Sequence, residues 1–275
     1  MGEGTFDRAV FVRALRTRRL GHALFTRAEV ESTNDLAWEL AQQGADEGAC
    51  VVADAQTRGR GRLGRSWHTT PGRGLALSLL LHPGRDRGAL ATAPLVAGLA
   101  LRRGLDALGV EARLKWPNDL EAGGRKLSGI LAESRRTADG ADLVVMGVGV
   151  NVSQARDEFP PELRQVATSI ALEGRRAGRE AVAAAFLNAL EPLWDEHQEG
   201  DQNQVLEAWR REATFWGRQV VVHTGAGEVR GAAEGLDEVG GLVIRTAEGT
   251  SLAVYAGDVH VDWTDDPSAE GPRAG

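Results

Sequence analysis

Several residue types are scarce in this chain of 275 residues, and each scarcity removes a class of protein. There is one cysteine, Cys50, which excludes a disulfide framework and any cysteine-ligated zinc or iron–sulfur centre, and fits a reducing compartment. The six histidines (22, 68, 82, 197, 223 and 260) are scattered without an HxxxH or HxH pair, so a histidine metal site is not expected. No apolar run nears the roughly 18 residues of a membrane span, and the charged N-terminus has no hydrophobic signal region. A net charge of −7 argues against a protein built to coat nucleic acid. The expectation is a soluble cytoplasmic protein with no nucleic-acid or membrane partner.

Lysine is the most informative shortage. All but two of the 32 basic residues are arginine, and the exceptions are Lys115 and Lys126. A chain that uses arginine wherever any cation serves keeps lysine where a compact ammonium is needed and a planar guanidinium does not fit.

Hydrophobic periodicity predicts helices over 6–20, from Ser32-Thr33 (candidate N-caps) to Gly44, and over 93–108, 179–198 and 202–213, with Pro192 kinking or splitting the fourth. Strands are expected at 22–26, 50–54, 74–82, 111–115, 127–134 and 142–150. After Trp216 the texture changes. Short alternating strands at 219–223, 228–236, 242–246 and 251–255, joined by TGAG, DEVGG and AEGT turns, describe a small SH3-like β-barrel. The expected organisation is an α+β domain over 1–213 that carries the chemistry, the barrel over 214–264 and a disordered tail over 265–275.

The segment Gln56-Thr57-Arg58-Gly59-Arg60-Gly61-Arg62-Leu63-Gly64-Arg65-Ser66-Trp67 is the strongest local feature. From Ala55 to Arg85 inclusive there are six arginines and no acid. Glycines let backbone N–H groups approach a ligand, and arginines add bidentate charged donors, so the tract reads as an anion site. A G-x-G-x-x-G dinucleotide fingerprint fails because Pro71 and a strand follow where a helix must start. A Walker A loop is excluded because Leu114 and Arg125 precede the lysines where glycine is required, and no HRD or DFG triplet supports a kinase. An RNA-binding tract would interleave aromatics, and only Trp67 is present.

Two further segments carry candidates. Lys115-Trp116-Pro117-Asn118-Asp119 reads as a strand entering a turn, and Gly124-Arg125-Lys126-Leu127-Ser128-Gly129 as the hairpin return, which places both lysines on adjacent strands near one end of a sheet. Met146-Gly147-Val148-Gly149-Val150-Asn151 is a β-branched strand whose glycines leave room on one face, with Asn151 at its end.

Taken together, STN, GRGRLGR-x-W, KWPND, GRKLSGIL and GVGVN, in this order over about residues 22–260, resemble the biotin protein ligase family. The resemblance implies a mixed sheet flanked by helices, like class II aminoacyl-tRNA synthetases, with the SH3-like barrel behind it. It also implies that biotin and ATP give biotinyl-5′-AMP, from which biotin passes to a lysine of a carboxylase's biotin carboxyl carrier domain. Carried over, Ser32, Thr33, Asn34 and Gln56 would bind biotin, and Gly59, Arg60, Gly61 and Arg62 would close over it, with Arg62 and Lys126 at the reacting groups. Arg65, Trp67, Lys115, Asn118, Asp119 and Asn151 would serve the nucleotide, and Mg²⁺ would accompany ATP, its protein ligands unassigned. The acceptor amine needs a base, for which only Lys115 offers itself as a guess. A homodimer through the catalytic sheet is a further expectation. Only 31 residues precede Ser32, too few for the helix-turn-helix module of repressor-type members, so the monofunctional class is expected. A lipoate or octanoate ligase or transferase is the alternative within a related fold.

Overall fold

Residues 5–83, 88–136, 142–199 and 202–263 are described by a computed structural model. Along the chain run α1 (Arg8–Ala14), β1 (Leu24–Val30), α2 (Thr33–Gln42), β2 (Cys50–Gln56), β3 (Gly74–Leu81), α3 (Gly88–Asp106), β4 (Arg113–Lys115), β5 (Asp119–Ala122), β6 (Arg125–Arg136) and β7 (Asp142–Asn151). They are followed by α4 (Arg179–Gln198), α5 (Gln202–Glu212), β8 (Gln219–Thr224), β9 (Gly227–Leu236), β10 (Leu242–Arg245), β11 (Ser251–Val254) and β12 (Asp258–Val261).

The first seven strands form one mixed sheet in the order β1-β2-β3-β7-β6-β5-β4, with β1 and β2 parallel and the other pairs antiparallel. All eight residues of β3 are buried, because α4 packs on one face and α2 on the other. A continuous apolar run, GLALSLLL, suits a strand covered on both sides. On α4, Val182, Phe186, Leu190 and Trp194 recur one turn apart and are all buried, each worth roughly 1.5–3 kcal/mol of burial. Cys50 is fully enclosed in β2, and burial pushes its thiol up to about 12, which leaves it inert.

The last five strands make an antiparallel sheet in the order β11-β10-β9-β8-β12. It shares one apolar cluster with the first sheet's helices: Val220, Val222, Leu242 and Ile244 belong to the same packed set as Leu95, Leu206 and Trp209. Trp116, before β5, donates its indole N–H to the Gly240 carbonyl at 2.9 Å, and Trp263 lies within cation–π reach of both Arg113 and Arg218.

Several expected boundaries move. The helix expected over 6–20 is only seven residues long, because the amides beyond it bond elsewhere: Arg18, Arg19 and Leu20 donate to the Glu191 carboxylate, and Arg16 to Asn188 Oδ1. The first strand runs over Leu24–Val30 rather than 22–26. Pro192 does not divide α4, which is continuous through it. Between the two lysines lies a strand of its own, β5, so Lys115 on edge strand β4 and Lys126 on β6 flank it rather than neighbour each other. The tail expected over 265–275 lies outside the described residues, as does Arg85.

Candidate active site

Alternation on β7 builds the floor. Val148 and Val150 belong to the main core, which leaves Gly147 and Gly149 on the opposite face. Gly149 pairs with Gly129 of β6, and over these two lies the Trp67 indole. A Cβ on Gly149 would fall 2.3 Å from the Trp67 ring, and one on Gly147 would fall 2.3 Å from Asn34 Oδ1.

A polar shelf borders this floor. Ser32 occupies the N-cap of α2, yet its hydroxyl makes no capping bond. The next amide, Thr33 N–H, donates to Gln56 Oε1 at 2.8 Å. Beneath them Ser78, fully buried, sits 2.7 Å from Thr33 Oγ1 and 2.6 Å from Asn34 Oδ1. The Thr33 hydroxyl donates to Gln56 Oε1 at 3.1 Å, so the Ser78 hydroxyl hydrogen is shared between Thr33 Oγ1 and Asn34 Oδ1. Asn34 Nδ2 in turn donates to Glu133 Oε2 at 2.7 Å.

The glycine–arginine loop is held over the shelf differently from the expectation of free anion donors. Arg58 pairs with Glu31, Arg60 makes a bidentate pair with Asp35 at 2.6 and 2.8 Å and reaches Glu133, Arg65 pairs with Asp258 at 2.9 Å, and Arg73 with Glu158 at 3.3 Å. The acid-free stretch recruits its counter-charges from distant segments, so its field is largely neutralised. Among these, Arg62 alone directs its guanidinium to an amide, Asn118 Oδ1, at 2.9 Å. Burial, the largest influence, pulls the Arg62 guanidinium below its ordinary value despite nearby Asp119 and Asp258. Within the loop, Arg60 bridges Ser66, Gly61 N–H donates to the Arg65 carbonyl at 2.7 Å, and Leu63 at the tip takes a left-handed conformation (φ 56°). Gly59 is required because a Cβ there would lie 2.5 Å from the Trp67 carbonyl.

On β5, Leu120 and Ala122 are buried while Asp119 and Glu121 face the lysines. Lys126 Nζ lies 2.5 Å from Asp119 Oδ2, and Lys115 Nζ lies 2.8 Å from Glu121 and 3.8 Å from Asp258. Burial acts most strongly on Lys115 and acts downward, but Glu121, Asp258 and Asp119 together outweigh it and hold the ammonium above the ordinary lysine value. These carboxylates favour the charged ammonium of Lys115. Asp258 is itself held below the usual carboxylate range, since Arg65 and Lys115 outweigh the larger upward push of burial. Asp119 Oδ1 is buried with no hydrogen-bond partner.

Around these groups lies a cavity of about 500 Å³. It brings together Ser32, Thr33, Asn34, Gln56, Arg60, Gly61, Arg62, Arg65, Trp67, Lys115, Asn118, Asp119, Lys126 and Asn151; Gly59 is the one proposed site residue outside its lining. Sequence reasoning missed Ser78, Glu121, Glu133 and Asp258. Glu121 was discoverable from the Asp119–Ala122 alternation, whereas nothing local marks Asp258, which arrives from the second sheet. Among the described residues no group of three or more His, Cys, Asp or Glu could hold a metal.

A cavity with two lysines, a loop arginine and a polar shelf, on a mixed sheet, suits an enzyme that brings anionic groups together. Comparison gives the particular family. Residues 27–151 match the biotin/lipoate A/B protein ligase family and residues 215–261 the biotin protein ligase C-terminal domain. The chain is 36% identical over 234 residues to the biotin–[acetyl-CoA-carboxylase] ligase of Paracoccus denitrificans, covering 82% of this chain and 95% of that one. To the bifunctional ligase/repressor BirA of Bacillus subtilis it is 34% identical over 249 residues, covering 90% and 76%. Among solved structures, the Aquifex aeolicus biotin protein ligase in complex with biotin and ATP aligns with a TM-score of 0.74 at 30% identity, over 88% of this chain and 99% of that one. The chain belongs to the biotin protein ligase family.

Proposed function

We propose that this chain is an ATP-dependent biotin protein ligase that joins biotin and ATP into biotinyl-5′-AMP with release of pyrophosphate, and then transfers biotin to one lysine of a carboxylase's biotin carboxyl carrier domain. The convergence of Lys126, Arg62 and the Ser32-Thr33-Gln56 shelf on one cavity carries this reading. The shelf supplies donors and acceptors for a ring rich in amide groups, and Trp67 offers an apolar surface across the glycine floor.

The first step brings two anions together, a carboxylate and an α-phosphate. Charge neutralisation without a covalent nucleophile is the protein's task there. Lys126 suits it because a mobile point charge can follow the carboxylate onto phosphorus. Arg62, permanently charged in a partly dry setting, holds the resulting acyl phosphate and keeps water from it. In the second step the acceptor amine attacks the acyl carbon and AMP leaves.

Mg²⁺ fits the site as an ion held chiefly by nucleotide phosphates with one protein carboxylate, since Asp119 keeps an unpartnered buried oxygen there. Bound so, it would offset charge on the departing pyrophosphate. The same reading places the enzyme in the cytoplasm and pairs two chains through their catalytic sheets, where β1 is an edge strand with Arg27, Ala28 and Glu29 exposed. A single 29.3 kDa species in sedimentation equilibrium would overturn the pairing.

Exchange of labelled pyrophosphate into ATP tests the activity directly. Exchange that requires biotin, and is not supported by lipoate or octanoate, is the expected result. Exchange driven equally by lipoate would overturn the assignment.

A further inference from the structure

Arg60 bridges Ser66, and Trp67 N–H donates to the Gly59 carbonyl at 2.9 Å, so the glycine–arginine loop is a small hairpin closed on itself. Its placement depends on the side chains that tie it to other elements, and these ties differ. The Arg58–Glu31 pair is largely exposed on both sides, and Arg65 is 62% exposed, settings in which an ion pair contributes little. Arg60 is tied on two sides. Its Nη1 and Nη2 donate to the two Asp35 oxygens at 2.6 and 2.8 Å, and Nη2 also faces the Glu133 oxygens at 3.2 and 3.4 Å. Asp35 stands in the first turn of α2, where the helix dipole favours a carboxylate. Glu133 follows Gly129 and Leu131 along one face of β6, a step beyond the cavity that those two line.

Two carboxylates on one guanidinium more than offset its charge within the protein. The Asp35 hydrogen bond, above all, holds Arg60 above the ordinary arginine value against its partial burial. Arg60 and Asn34 line the cavity, whereas Asp35 and Glu133 do not. Glu133 Oε2 also accepts from Asn34 Nδ2 at 2.7 Å, so a single carboxylate links the loop to the shelf. We propose that Asp35 and Glu133 are positioning residues acting through Arg60, whose guanidinium is a fastener rather than an anion donor and sets the Gly59–Arg62 backbone over bound biotin. The proposal rests on the reading of this cavity as a biotin site. Loosening the fastener lowers the fraction of molecules with the loop in place. Apparent biotin affinity falls by that fraction, while the chemistry of a filled site is kept.

The test compares the wild type with Asp35→Asn, Glu133→Gln, Arg60→Gln and the Asp35→Asn/Arg60→Gln double variant. Biotin affinity is read by calorimetry, KM and kcat by biotin-dependent pyrophosphate exchange, and loop placement by the rate of trypsin cleavage after Arg58, Arg62 and Arg65 in protein without biotin. Each single variant is expected to weaken biotin binding and raise its KM about tenfold with kcat nearly kept, and to speed loop cleavage by a similar factor. The double variant is expected to be no weaker than Arg60→Gln alone, because Asp35 acts through Arg60. Should Glu133→Gln disturb Asn34, the Asp35→Asn variant decides, since its carboxylate pairs with Arg60. Wild-type affinity and wild-type cleavage in Asp35→Asn overturn the proposal. So do additive losses in the double variant, and so does weakened binding with unchanged cleavage, which would set the acids on biotin itself. A wild type that does not bind biotin fails the ligase reading instead, and the cleavage rates, which need no ligand, still decide the fastening.

Discussion

Lys126 and Arg62 are both cations beside the same cavity, and their chemistry differs in kind. The Lys126 ammonium sits against Asp119 on a flexible stem, so it can leave that carboxylate for a substrate's. A guanidinium at this position keeps the charge and loses the compactness. Lys126→Arg is therefore expected to reduce biotin-dependent pyrophosphate exchange by about 100-fold or more, the scale of removing one preorganised charged donor. Near wild-type exchange would place Lys126 away from the reacting atoms. Arg62 has the opposite profile, since it holds what has already formed. Arg62→Gly is expected to make biotinyl-5′-AMP and release it, so that bystander proteins mixed with the variant and probed with labelled streptavidin become biotinylated. Labelling confined to the carrier domain would count against retention by Arg62.

Among the elements, the N-terminal segment shows how one side chain replaces a predicted turn of helix. The Glu191 carboxylate on α4 accepts from the Arg18, Arg19 and Leu20 amides at 2.6, 2.9 and 3.0 Å. Burial raises this carboxyl most strongly of any single influence, but the three N–H bonds and Arg19 outweigh it and hold it below the usual carboxylate range. A depressed pKa stabilises the fold above the unfolded value, near 4.3, and that contribution disappears as pH falls through the folded value. Glu191→Ala should cost about 2–4 kcal/mol at pH 7 by urea denaturation, three amides losing a charged acceptor, and its deficit against the wild type should shrink below about pH 4. A deficit constant down to pH 3 would disprove the ionic role. The periodicity of 6–20 could not reveal this, because the competing acceptor lies some 170 positions away. Local signals succeeded where the burial partner is implied by the strand itself, as in GLALSLLL and GVGVN. They failed where the partner is remote: in the arginine loop, whose neutralising acids come from Glu31, Asp35, Glu133 and Asp258, and at β5, where turn-forming Asn118-Asp119 hid a short strand.

At the level of the whole molecule, the two sheets are joined by more than a linker. Their apolar residues form one cluster, the Trp116 indole bonds to Gly240, and Asp258 carries Arg65 and Lys115. Unfolding in urea should accordingly follow one transition, with tryptophan fluorescence and far-ultraviolet circular dichroism superimposing. Two separated transitions would show that the sheets melt independently. The Arg65–Asp258 pair also sets a schedule for biogenesis. Strand β12 follows every other described strand in the chain, and it supplies the acid that clasps a loop translated almost two hundred codons earlier. A nascent polypeptide still threaded through the ribosomal exit tunnel at that point has its glycine floor and both lysines, but no finished wall. The Arg65 and Lys115 pairs with Asp258 form only after β12 has been made.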